Sequence, residues 1–138
     1  MHPTTIELLA RTQKFAAAAV RFCDQLPKDA ASQRIVLQLV DSSGATDSNY
    51  RAACRARSKA EFIAKLGVVI EEADESKGWL QLLVASNRTS IEEARDLIQE
   101  ADELISIFVK SRKTAQRRKK EHDLDERQLR GTGHRRGR

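Results

Sequence analysis

Aromatic side chains are scarce: Phe, Trp and Tyr together make up 4% of the 138 residues. Proline occurs only at Pro3 and Pro27, and cysteine only at Cys23 and Cys54. β-Branched runs are few while Ala, Leu, Glu, Arg and Gln are plentiful, which favours an all-α chain over a sheet. No apolar run approaches the roughly eighteen residues of a membrane span. The opening MHPTTIELLARTQ lacks the basic and apolar regions of a signal peptide. The expectation is a cytoplasmic protein with no membrane partner, whose two cysteines are reduced core or boundary thiols. Histidine is confined to His2, His122 and His134, outside the expected helical body, so nucleophilic catalysis there has no base. The same absence removes the Glu-x-x-His pairs of di-iron bundles, and two cysteines without a nearby histidine do not make a zinc site. G-x-x-x-x-G-K is missing too. The chain is therefore expected to be no enzyme, to hold no metal and to need no cofactor.

What is present is helical rhythm. Ser58 to Asn87 reads as one long helix, with Ser58 as N-cap and Glu61 completing a capping box. Phe62, Leu66, Val69, Ala73, Ser76, Leu80 and Leu83 follow at spacings of four and three, the seam of a helix packed on other helices. Thr4 and Glu7 cap a first helix with seam Leu8, Thr12, Phe15, Ala19, Phe22 and Leu26, stopped at Pro27. A second helix carries Ile35, Leu39, Ser42, Thr46, Asn49 and Ala53. Its small residues Ser42 to Ala45 suit close helix approach, a kink or a groove. A fourth, capped by Thr89 or Ser90, carries Ala94, Leu97, Ala101, Leu104 and Phe108. The expected spans are 5–26, 29–56, 58–87 and 90–115, an antiparallel up-down-up-down four-helix bundle over 1–113 with a disordered basic tail over 114–138.

Charge divides the same way. Residues 1–110 hold 14 Lys and Arg against 16 Asp and Glu, and residues 111–138 hold 11 against 4. The tail cations Arg112, Lys113, Arg117, Arg118, Lys119 and Lys120 suit phosphate binding by counterion release without sequence preference. The bland alternative is a solubilising tail. Arg51, Arg55 and Arg57 form a second basic group on the body. No aromatic residue follows Phe108, so the tail by itself offers no base-stacking platform. The carboxylates Glu71, Glu72, Asp74 and Glu75 read as a solvated acidic face, with pairing to arginines as the alternative. Asn49 reads either as a buried residue fixing register or as a contact residue, and Tyr50 and Trp79 as half-buried core or subunit-interface residues. The run Val68-Val69-Ile70 cannot face one core, which favours homo-oligomerisation.

Several of these residues also carry a resemblance. The small-residue stretch from Gln38, the Asn49-Tyr50-Arg51 step, the run Arg55 to Phe62 and the Glu75, Trp79, Leu80 step resemble the bacterial four-helix-bundle proteins encoded by intervening sequences within 23S ribosomal RNA genes. The likeness spans residues 5–110. It departs at Ala52, where members commonly carry glutamate. The resemblance implies a bundle often assembled as a ring-like homopentamer. A branch similar in fold, the accessory proteins of diversity-generating retroelements, binds nucleic acid and a reverse transcriptase. The expectation is thus a non-enzymatic, oligomeric nucleic-acid-binding or scaffolding protein, RNA favoured over DNA. The alternative is a protein–protein adaptor, for example an accessory subunit of a reverse transcriptase.

Overall fold

A computed structural model describes residues 3–133 as four helices: α1 Thr5–Cys23, α2 Ala30–Cys54, α3 Lys59–Ala85 and α4 Ile91–Gly133. Each start has a local cause. Thr4 and Glu7 close a reciprocal capping box on α1, with the Glu7 N–H donating to Thr4 Oγ1 at 3.1 Å and the Thr4 N–H to Glu7 Oε2 at 2.8 Å. Asp29 caps α2 through the Ser32 N–H at 3.1 Å, and Ser90 receives the Glu93 N–H at 3.2 Å. Ser58 caps α3 through the Glu61 N–H at 3.0 Å. Glu61 does not complete the expected box there, because its carboxylate accepts the Arg57 N–H at 3.3 Å instead.

The ends are equally local. Helix α1 stops at Cys23, before the predicted Leu26, though Leu26 stays buried. After α3 the Arg88 N–H reaches Leu83 O at 2.9 Å and the Asn87 N–H reaches Val84 O at 3.0 Å. These are the paired bonds of a Schellman end, and Asn87 takes the left-handed position at φ 60°.

The predicted seams meet in one core. Phe15, Leu39, Leu66, Val69, Leu80, Leu83, Leu104 and Phe108 are fully or almost fully enclosed. Sequential helices pack side by side, and α1 touches α4 more lightly. That last seam is bridged by Arg11, whose guanidinium pairs with Glu100 and with Glu103 at 2.9 Å. The polar stripe of α2 is absorbed internally: Ser76 Oγ donates to Ser42 Oγ at 2.8 Å, and Thr46 Oγ1 to Ser42 O at 2.8 Å. Gly44 has open space around its Cβ position, and α2 runs through it unbroken. Close approach therefore occurs at the serines. Asn49 is only half-buried and donates to Ala45 O in its own helix at 2.9 Å. The buried residue is Tyr50, whose ring lies 4.9 Å from that of Phe108. Val69 is buried, Ile70 half-buried and Val68 exposed, and Cys23 is buried while Cys54 is exposed.

The largest difference from expectation lies in α4. The helix does not give way to a flexible tail at residue 114 but continues to Gly133. Side-chain contacts and opposite charges four residues apart explain this: Lys119 Nζ meets Asp123 at 2.7 Å, and His122 Nε2 lies 3.2 Å from Glu126 Oε1. Arg117 and Glu121, Asp123 and Arg127, and Glu126 and Arg130 stand at the same spacing without closing an ion pair. Nothing between Phe108 and Gly131 is proline or glycine. The absence of apolar residues correctly indicated no burial, but burial is not the only support a helix can have. Beyond the start of α3, the arm extends by about 25 Å at 1.5 Å per residue. Residues 134–138 of the expected tail, with His134, lie outside the described residues, as does His2. Among the described residues no helix is long and apolar enough to cross a membrane.

Candidate nucleic-acid interface

Antiparallel packing brings the two predicted basic groups to one end of the bundle. Because α2 ends and α3 begins there, Arg51, Arg55 and Arg57 surround the turn between them. Because α4 runs back toward that turn, its cations pass beside the first turn of α3. The arm then divides them according to helical spacing. Lys110, Ser111, Thr114, Arg117 and Arg118 lie on one side, facing Lys59 and Phe62 across a groove of about 600 Å³. Lys119 and Lys120 lie on the other, with Asp123, Leu124 and Arg127 over Ala60 and Ile63.

The two grooves differ in electrostatics. Lys119 is already engaged by Asp123, whose carboxyl is held below its usual pKa by that hydrogen bond. On the first side no carboxylate lines the groove. Among the described residues Lys59, Lys110, Arg117 and Arg118 make no salt bridge. Four cations so arranged, none of them held in an ion pair, attract a polyanion. This groove also runs into its neighbours. A cleft lined by Tyr50, Arg57 and Ser58 shares Lys59 and Phe62 with it. Arg57 in turn belongs to the shallow site of Arg51, Arg55 and Lys65, whose charge Asp47 and Glu61 in the same lining partly offset. Ala52, where the resembling proteins often carry glutamate, lines that shallow site, so position 52 adds no acid there.

The predicted site residues are thus unequal. Arg117, Arg118 and Arg57 lie along this basic track. Arg51 is partly neutralised by Asp47 at 3.1 Å. Arg55 caps the end of α2 and is exposed. Lys113 is exposed and lines neither α4 groove. Arg112 is a packing residue: its Nε–H donates to Ile63 O at 3.1 Å, and its guanidinium lies 3.4 Å from the Cβ position at Gly67. Lys59, Lys110 and Phe62 were not foreseen as site residues. Applying the 3.6-residue period to charge as well as to hydrophobicity would have joined Lys110 to Thr114, Arg117 and Arg118.

On the acidic face, Glu71, Asp74 and Glu75 are exposed and Glu72 is half-buried. Burial, then the neighbouring Glu75, Glu71 and Asp41, push the Glu72 carboxyl above its usual pKa. None of the four carboxylates pairs with an arginine among the described residues. The same residues include no group of three or more His, Cys, Asp or Glu poised around a metal position.

Comparison with known proteins adds a family. A family model described as 23S rRNA-intervening sequence protein matches residues 4–110. A crystal structure of a protein with unknown function from the S23 ribosomal protein family of Bacteroides thetaiotaomicron VPI-5482 superposes with a TM-score of 0.72 at 24% identity, covering 77% of this chain and 98% of that one. No curated protein matches. The chain belongs to the 23S rRNA-intervening sequence protein family, and its arm beyond residue 110 lies outside the matched region.

Proposed function

We propose that this member of the 23S rRNA-intervening sequence protein family is a non-catalytic, homo-oligomeric protein that binds nucleic-acid phosphates, RNA foremost, along the basic end of its bundle. One observation carries the reading: Lys59, Lys110, Arg117 and Arg118 converge from two helices on a groove with no carboxylate in its lining. Phosphates entering it displace condensed counterions, which makes binding salt-dependent and indifferent to sequence. The family name supplies the preference for RNA. Exposed Ile6, Val20, Leu37, Val68 and Leu82 favour self-association, and assembly multiplies the basic end and raises avidity.

The same exposed apolar residues favour the second reading, an adaptor that docks on a protein such as a reverse transcriptase. Fluorescence anisotropy with labelled RNA and DNA separates the two. We expect the full chain to bind, and a variant with Lys59, Lys110, Arg117 and Arg118 all changed to Gln to lose affinity. The slope of log affinity against log salt should become shallower by about 3, near 0.7 per cation for single strands. Unchanged affinity and slope in that variant would overturn the proposal. Absence of binding by the native chain would leave the adaptor. Light scattering on both chains reports the assembly.

A further inference from the structure

The groove that carries the phosphate reading contains something phosphates do not need. Phe62, half-buried, lines it one turn from Lys59 on the α3 bank, opposite Ile107, Lys110, Ser111, Thr114, Arg117 and Arg118 on α4. Aromatics are few in this chain, and the arm has none. The fold nonetheless sets one beside two of the arm's arginines, Arg117 and Arg118. We propose that this groove takes a single-stranded nucleic-acid segment, one base stacked on Phe62 and its flanking phosphates on Lys59, Lys110, Arg117 and Arg118. This deepens the phosphate-binding reading and rests on it.

Three features lead to a single strand. A duplex turns its phosphates outward and hides its base faces, so a half-buried ring in a groove lined by cations meets a base only when that base is unpaired. Every base offers a π-face, and an aromatic floor under a cationic rim is the recurring arrangement for sequence-tolerant single-strand binding. Base-edge readout, by contrast, needs Asn, Gln, Asp or Glu side chains or free backbone groups. None of those side chains lines the groove, and the backbone of its banks is bonded within α3 and α4 except for the Lys59 N–H, which opens α3 and as a helix N-terminal donor suits phosphate rather than a base edge. Ser111 and Thr114 supply hydroxyls suited to phosphate or ribose oxygen.

The test compares labelled twelve-residue oligouridylate and oligothymidylate with a duplex of equal length, on the full native chain at fixed salt. We expect the single strands to bind more tightly. Phe62→Leu keeps an apolar contact with the core and should weaken single-strand binding roughly tenfold while leaving duplex binding and the salt slope unchanged. Phe62→Trp should retain single-strand binding, and its emission should be quenched on addition of oligonucleotide, measured against the background of Trp79. Equal native affinities for single strand and duplex would overturn the inference without any variant. So would full single-strand binding by Phe62→Leu. If that variant binds normally while the four-glutamine variant does not, phosphate binding stands and stacking falls. If both bind normally, both readings fall. Tighter binding of polyglutamate than of oligouridylate, lost in the same variants, would assign the groove to an acidic peptide instead.

Discussion

Where α1 passes to α2 and α3 to α4, Arg88 is anchored: its Nε–H donates to Ser32 Oγ at 2.9 Å and its Nη2 lies 3.4 Å from Asp29 Oδ1. At the other end of the bundle Arg117 and Arg118 line a groove with no acid in it. Residue type alone does not tell these arginines apart, since each ends in the same five-donor fork. What separates them is whether the fold has already supplied acceptors. A cation with partners holds the structure together; one without them is open to an external anion. The largest predicted effect breaks this comparison at its anchored side. Arg88→Ala removes two charge-assisted contacts and should cost about 1–2 kcal/mol of stability, read as a lower urea midpoint, with nucleic-acid affinity unchanged. Arg117→Ala should do the reverse, leaving stability within about 0.5 kcal/mol and weakening binding. If Arg117→Ala destabilises as much as Arg88→Ala, the division between anchored and open cations is wrong.

Arg112 stands between the two classes, and glycine substitutions sharpen its place. The three atoms nearest a Cβ at Gly67 all belong to the Arg112 guanidinium, at 3.4–3.6 Å, ordinary contact for a group that can shift slightly. A Cβ at Gly44 meets nothing within 4 Å. Both sites are helical, so alanine should raise stability at each by up to about 1 kcal/mol. Gly67→Ala should gain less than Gly44→Ala by whatever the displaced arginine loses. Thermal melts of the two single variants measure that difference. A net loss for Gly67→Ala would make the Arg112 contact with Ile63 O tighter than its geometry indicates, whereas a loss for Gly44→Ala would point to a neighbouring surface, such as a second subunit, that occupies the space.

The bundle was legible because its information is local and periodic. Leu66, Val69, Ala73, Ser76, Leu80 and Leu83 announce one face of α3 by spacing alone, and all six are buried. Phe62, placed first in the same seam, is instead only half-buried: it sits in the first turn, where the core runs out and the groove begins. The arm was misread for a complementary reason. Apolar periodicity reports burial, and the arm buries almost nothing; its support comes from opposite charges four residues apart, a pattern present in the sequence but read only as net charge. The groove was illegible in principle. Lys59 and Phe62 lie some fifty residues from Lys110 and Arg117 in sequence, and only the antiparallel return of α4 brings them together. No periodicity within one helix encodes that meeting.

Acid titration gives the smallest and most selective effect at the anchored end. Hydrogen bonds from the Ser32 side chain and backbone hold the Asp29 carboxyl down at about 2, with the Arg88 charge adding less. A depressed carboxyl stabilises the folded chain only while it is ionised. Its contribution is therefore complete above the unfolded value of 3.8 and is lost as pH falls through about 2. Asp29→Asn keeps a competent N-cap and removes the titration. The urea midpoints of native chain and variant should then differ by a constant amount from about pH 5 to 8 and converge below about pH 4. The background decides the cause. Because Ser32 is the principal donor, Ser32→Ala should shrink the separation at neutral pH and narrow the window of convergence, while Arg88→Ala should leave most of both. If Arg88→Ala abolishes the pH dependence and Ser32→Ala does not, the anchored end is held by charge rather than by hydrogen bonds, and the contrast with the open groove becomes one of ion pairing alone.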